Sequence, residues 1–198
     1  MQGEDELKAL LMLLSSVYAN EGRAAGKAAS AALVQAANDA GGFGELAEIP
    51  VPDVAITALA IDPHPEAKTI EAGLKFVRWF EPDKSIDNLS QEKGAQMRAA
   101  ELLGPNGQFY HPSLRVGLYV QLPNFDYTTR RHSAEETYVQ LGGKGWWGTH
   151  NDQPRQRKTG EIIFHPSMIP HQNVTFNDPM IATWRWSGDI DYAKYYME

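Results

Sequence analysis

His132, Glu136 and Tyr138 follow one another at intervals of four and two residues, and Arg130 stands two before the first of them. In an extended strand, residues of equal parity share a face, so all four side chains would look into one interior. An imidazole, a carboxylate and a phenol are costly to bury unpaired. One divalent cation would satisfy all three. A second cluster, Gly160 to His171, ends on a histidine at the start of another strand, able to reach the same point from across the fold. The chain has no cysteine, which excludes thiolate ligands, disulfides and cysteine nucleophiles. The metal must therefore use imidazole, carboxylate, phenolate or water, a set that suits iron, zinc, manganese, cobalt or nickel. Taken singly, Glu136 reads as a surface carboxylate and His171 as a loop or core histidine; it is their combination that suggests a site. His64, His111 and His150 have no such partners and are expected not to be ligands. His165, inside the second cluster, is expected to support the site rather than bind metal.

Elements must position these groups. Leu7, Leu10, Leu11, Leu14, Val17 and Tyr18 form one apolar helical stripe behind an acidic start. An Ala-rich stretch from Arg23 to Ala40 reads as a second helix, stopped by Gly41-Gly42. This pair would pack on a larger body; otherwise it is a dimerisation hairpin, which would make the protein a homodimer, or a frayed tail. Residues 45–88 are punctuated by Pro50, Pro52, Pro63, Pro65 and Pro82, and weak alternation at Val54, Ile56 and Ala58 suggests short edge strands and loops. Ser90 can cap a helix over Gln91 to Leu103, ended by Gly104-Pro105-Asn106-Gly107. The period then changes to two: Val116, Leu118, Val120 and Leu122 alternate with Gly117, Tyr119 and Gln121. Short strands are expected near 135–141, 145–149, 160–164, 171–176 and 180–187, a small antiparallel barrel or sandwich.

These residues resemble a known superfamily. The first cupin motif, H-x-H-x(3,4)-E-x(6)-G, is matched by His132, Glu136 and Gly143, with Arg130 where the first histidine belongs. The second, G-x(5)-P-x-G-x(2)-H, is matched by Gly160, Pro166 and His171, with Met168 in place of the inner glycine. The resemblance implies a mainly β protein with N-terminal helices and a cupin barrel of the double-stranded β-helix, jelly-roll type. Residues 1–103 would be a helical and mixed region packed on a barrel at 104–198. A closer likeness is carried by Arg115-Val116-Gly117-Leu118, Tyr127, His132, Ala134-Glu135-Glu136, Tyr138, Trp146-Trp147 and Trp184-Arg185-Trp186-Ser187-Gly188-Asp189. Over about residues 104–190 the chain looks like the cupin-type dimethylsulfoniopropionate (DMSP) lyases.

That resemblance implies a metal-dependent carbon–sulfur lyase that cleaves DMSP to dimethyl sulfide and acrylate. It implies metal binding by His132, Glu136 and His171, with Tyr138 on or beside the metal and Tyr138 or Tyr127 as the general base. Arg130 would face the pocket and pair with Glu135 or with the substrate carboxylate. The substrate would be a zwitterionic sulfonium carboxylate. Its sulfonium cannot accept a conventional hydrogen bond and would be held by aromatic faces, for which Tyr119, Trp146, Trp147, Trp184 and Trp186 are available. Two other readings use the same residues: a cupin oxygenase or isomerase acting on another small carboxylic acid, and a non-catalytic cupin that binds a small molecule.

Composition narrows the partners. The net charge of −7 does not favour phosphate neutralisation, so nucleic acid is not expected as a partner. The local basic run of Arg155, Arg157 and Lys158 reads as a solvated loop. No apolar run reaches the length of a membrane span, and the acidic start Glu4-Asp5-Glu6 is unlike a secretory leader. A cytoplasmic protein without membrane partners is the expectation.

Overall fold

A computed structural model of the chain describes residues 2–39, 43, 46–82, 90–150 and 152–197. Among the described residues, five helices come first: α1 (Gln2–Ala19), α2 (Ala24–Asn38), α3 (Asp53–Leu59), α4 (Ala67–Leu74) and α5 (Gln91–Gly94). Eleven strands follow: β1 (Met97–Gly104), β2 (Phe109–Tyr110), β3 (Arg115–Gln121), β4 (Phe125–His132), β5 (Ala134–Gly143), β6 (Trp146–Thr149), β7 (Arg155–Gln156), β8 (Ile162–His165), β9 (His171–Thr175), β10 (Met180–Gly188) and β11 (Tyr195–Met197). They form a six-stranded sheet in the order β2-β1-β3-β10-β5-β8 and a five-stranded sheet in the order β11-β4-β9-β6-β7. The fold is a cupin-type jelly roll with N-terminal helices. Its backbone ladders form two sheets and do not close into one continuous barrel.

Strands β1, β3, β5 and β10 of the large sheet are buried on both faces. Val116, Leu118 and Val120 of β3 and Ile181 of β10 join Leu7, Leu10, Leu11, Leu14, Leu33 and Leu74 of the helices in one apolar cluster. The intervening residues, Tyr119, Ala182, Trp184 and Trp186, turn the other way and join Phe125, Tyr127, Tyr138, Trp147 and Tyr195 in a second cluster between the sheets. The two-residue period therefore separates an aliphatic face under the helices from an aromatic face toward the second sheet.

Several expectations need correction. The helix expected over Gln91 to Leu103 is one turn only, with Ser90 Oγ accepting from the Lys93 amide. Residues from Met97 onward are a strand paired antiparallel with β3, so the large sheet begins ahead of residue 104. Met, Arg, Ala, Glu and Leu favour helix intrinsically, but burial between two cores and an open sheet edge override propensity. Edge strands expected in residues 45–88 are absent among the described residues of that stretch, apart from a single bridge at Phe80. Helices α3 and α4 stand there instead, their buried residues Ala55, Ala58, Leu59, Ile70 and Leu74 at helical spacing. The Gly41-Gly42 stop lies outside the described residues. Arg155, within the basic run, belongs to the short strand β7, and Arg155 and Arg157 both pair with Glu161. No helix among the described residues is long and apolar enough to cross a membrane.

Candidate metal centre

The strand imagined to carry Arg130 through Tyr138 is in fact two. β4 ends at His132 in the small sheet, and β5 starts at Ala134 in the large one. Ser133 is the corner. Its amide donates to Lys194 O, its hydroxyl to Asp189 O, and its carbonyl accepts from Ser167 Oγ. Upstream, the β4–β9 register shifts between Tyr127 and Arg130. Such an irregularity re-aims side chains, and it lets Tyr127 and Arg130, of opposite parity, both be buried.

His132, Glu136 and His171 offer ligand atoms that all lie within 4.8 Å of one another, and all three residues are buried. His132 Nδ1 lies 3.0 Å from Ala134 O and His171 Nδ1 lies 2.9 Å from Ile169 O. These carbonyls can only accept, so they place the ring proton on Nδ1 and leave the Nε2 lone pair exposed. Both Nε2 atoms face Glu136 Oε2, at 3.3 and 3.2 Å. His171 Nε2 has no hydrogen-bond partner despite that proximity. Two imidazole lone pairs and a carboxylate oxygen aimed at one another repel unless a proton or cation lies between them. The donor set fits a divalent transition metal.

Surrounding groups orient this set. Glu136 Oε1 accepts from Trp186 Nε1 at 2.7 Å, which leaves Oε2 for the imidazoles. Burial opposes the charge on Glu136, but the adjacent imidazoles, His132 foremost, outweigh it and hold the carboxyl well below its usual range. Burial holds His171 well below the ordinary imidazole value, helped by neighbouring His165 and Arg130. Burial likewise lowers His165. His165 Nδ1 sits 3.4 Å from Glu136 Oε2, and its ring stacks on His171 with centroids 4.2 Å apart. It sits against the ligand set, opposite Glu136 in the β5–β8 register.

A pocket opens beside the cluster, lined by Glu136, Tyr119, Tyr127, Tyr138, Trp184, Trp186, Tyr192 and Tyr195, with Phe80, Pro82, Met97 and Ala99 completing its wall. Tyr119, Tyr127, Tyr138, Trp184 and Trp186 of the sequence-derived set thus come together. Trp146 does not: it packs edge-on against Phe176, and Trp147 turns inward in its place, 4.5 Å from the Tyr138 ring. Arg130 is buried without lining the pocket. Its guanidinium lies 3.9 Å over the Tyr127 ring and makes long hydrogen bonds to Tyr127 O (3.4 Å) and Tyr138 Oη (3.5 Å). Glu135 is not shown as its partner; that carboxylate accepts from Ser187 Oγ. Burial, and then Glu136, push the Tyr138 phenol well above its ordinary value, against the pull of Arg130.

Sequence reasoning overlooked Tyr192 and Tyr195. Tyr195 stacks on His132 and Trp186, and its hydroxyl meets Tyr127 Oη at 2.6 Å. Tyr192 packs on Trp186 and over Arg115, with its hydroxyl on Glu101. The only signal was the density of tyrosines in residues 192–196.

A family model described as dimethylsulfoniopropionate lyase matches residues 22–182. The chain belongs to the DMSP lyase family. DMSP lyase DddQ of Ruegeria pomeroyi (strain ATCC 700808 / DSM 15171 / DSS-3) is 33% identical over 92 residues, 46% of each chain, so the match spans about half the length of that curated relative. A chain from the crystal structures of the DMSP lyases RdDddP and RnDddQII superposes with a TM-score of 0.70 over 99% of both chains, at 20% identity. The crystal structure of DddQ from Ruegeria pomeroyi DSS-3 gives 0.56 over 89% of this chain and 93% of that one, at 23% identity. At such identities these two structures speak to the fold, including its helical layer.

Proposed function

We propose that this chain is a metal-dependent lyase that cleaves DMSP to dimethyl sulfide and acrylate. The observation that carries the reading is a single pocket with a carboxylate–imidazole cluster at one side and aromatic faces around the rest. His132, Glu136 and His171 would hold the metal, with Tyr138 beside it. When bound, the metal supplies positive charge that offsets the enolate developing on the substrate carboxylate.

The remaining work falls to side chains. Tyr119, Trp184 and Trp186 offer π faces to the sulfonium, as aromatic cages do for quaternary ammonium ions. Burial raises the Tyr138 phenol in the metal-free site; an adjacent cation would favour phenolate, and Tyr138, its own proton given up to solvent, would then take the proton from the carbon next to the carboxylate. The released electron pair forms the carbon–carbon double bond as the carbon–sulfur bond breaks, and dimethyl sulfide leaves neutral, needing no acid. Tyr127 is the alternate base or a positioning group. Arg130, set against both phenols, favours the charged form of whichever gives up its proton.

An oxygenase, an isomerase or a binding cupin would not call for phenols beside the ligand cluster, and here several line the pocket. The test is to incubate purified, metal-analysed protein with DMSP and follow dimethyl sulfide and acrylate. Equimolar release is expected; absence of both from metal-loaded, folded protein would reject the lyase reading.

A further inference from the structure

On the back of the large sheet, away from the pocket, lies a buried polar network that the chemistry above does not use. Glu21, in the turn between α1 and α2, inserts its carboxylate against β5 and β10. Its Oε1 accepts from Arg185 Nη2 at 2.7 Å and Thr137 Oγ1 at 2.8 Å, and its Oε2 from Arg185 Nε at 3.0 Å. Arg185 also donates to Thr137 Oγ1 at 2.8 Å and to Ser187 Oγ at 2.6 Å. The Glu21 and Arg185 side chains are both 0% exposed.

The place of this network in the register matters. Arg185 lies directly opposite Thr137, flanked by the pairs Trp184–Tyr138 on one side and Trp186–Glu136 on the other. Both flanking pairs line the pocket. Glu21 thus bridges the one cross-strand pair that sits between a candidate ligand with its indole donor and a candidate base with its aromatic neighbour. Gly26 of α2 permits this, since a Cβ there would fall 2.6 Å from Glu21 Oε2.

Holding helices to a sheet does not require such a device. A fully buried ion pair gains little over well-packed apolar residues, because desolvation offsets the Coulomb attraction. What it adds is a fixed geometry. We infer that Glu21 is a positioning residue for the metal centre, acting through Arg185 and Thr137 to fix β5 against β10 where Glu136 and Trp186 meet. The helical layer is then a working part of the site. The inference rests on His132, Glu136 and His171 as the metal-holding set.

The experiment uses the full chain and Zn(II), with affinity read by competition against a chromophoric chelator. The double variant Glu21→Met/Arg185→Met replaces the ion pair by apolar groups of similar length and avoids an unpaired buried charge. It should fold, and its Zn(II) dissociation constant should rise about tenfold, the lower end of what outer partners of ligands contribute. Thr137→Val, nearly isosteric and well suited to a strand, removes only the bridging hydroxyl and should weaken Zn(II) in the same direction; it keeps the question answerable should the double variant not fold. Zn(II) affinity within twofold of wild type in a folded variant would overturn the inference, since a purely structural role leaves the affinity of folded molecules unchanged. The measurement needs no turnover, so failure of wild-type protein to act on DMSP would reject the proposed function and leave this result standing.

Discussion

Trp186→Phe exchanges the indole for a smaller ring without an N–H and probes how the candidate ligand Glu136 is held. The indole Nε1 donates to Glu136 Oε1 at 2.7 Å, and both residues are buried. A hydrogen bond to a charged acceptor contributes about 1.5–3 kcal/mol. A loss of that size corresponds to roughly a tenfold to hundredfold change in an equilibrium constant at about 1.4 kcal/mol per decade. Outer partners of metal ligands are worth about the same, 10–100-fold in affinity. With Oε1 unsatisfied, the carboxylate is free to rotate and Oε2 no longer faces both Nε2 atoms. Phenylalanine retains a ring against His132, whose centroid lies 4.3 Å from that of Trp186, so the pocket wall survives. The assay is chelator competition with Zn(II) on Trp186→Phe and wild type, with urea unfolding to confirm that both are folded. Affinity should fall by about tenfold or more. Unchanged affinity in a folded variant would refute the reasoning that this hydrogen bond orients the carboxylate.

Three further outcomes are expected. Tyr138→Phe should lower dimethyl sulfide release by about a hundredfold or more, the usual worth of a general base, with metal content falling less than in His132→Ala; near wild-type turnover would move the base to Tyr127. Met168→Gly should stabilise the protein by up to about 1 kcal/mol in urea titration. Met168 has φ +61°, where a side chain costs about 1–2 kcal/mol, only partly offset by the greater freedom of glycine in the unfolded chain. Metal-free protein should lose stability on acidification. Burial lowers His165 and His171 in the fold, so the unfolded chain takes up protons first. The stability tied to neutral imidazole is full above about pH 6.5 and is lost as pH falls from there through the lower folded values. A urea midpoint that stays flat from pH 8 to pH 5.5 would contradict buried neutral imidazoles.

The convergence of His132, Glu136 and His171 was legible because local spacing encodes it: His132 and Glu136 lie on either side of the corner at Ser133, and His171 opens a strand. Strands β5, β6, β8, β9 and β10 were legible for a similar reason, through short alternating runs parted by turn residues, while the two-residue β7 read as a loop. Alternation did not say which face is interior. The aliphatic residues of β3 face the helices, and its Tyr119 and Gln121 face the space between sheets. β1 read as helix because its composition favours one, while the neighbours that make it a strand are distant in sequence. The irregularity between Tyr127 and Arg130 left no local mark, and parity counted across it would have misplaced one of them. One of the two motif departures, Met168, became intelligible only in three dimensions. Met168 holds the left-handed conformation that favours the missing glycine, while Gly143, kept at φ +78°, has no room for a side chain beside Pro179 O.

The corner at Ser133 has a kinetic consequence. His132 and His171 belong to the small sheet and Glu136 to the large one, so an ion held by all three would rivet two layers together. All three residues are at most 2% exposed. The pocket beside Glu136 offers a way out, but an ion could take it only after releasing ligands on both layers, so its residence time would report how firmly the two sheets hold those ligands together. Exchange of isotopically labelled zinc into loaded protein should accordingly be slow and speed up steeply with temperature.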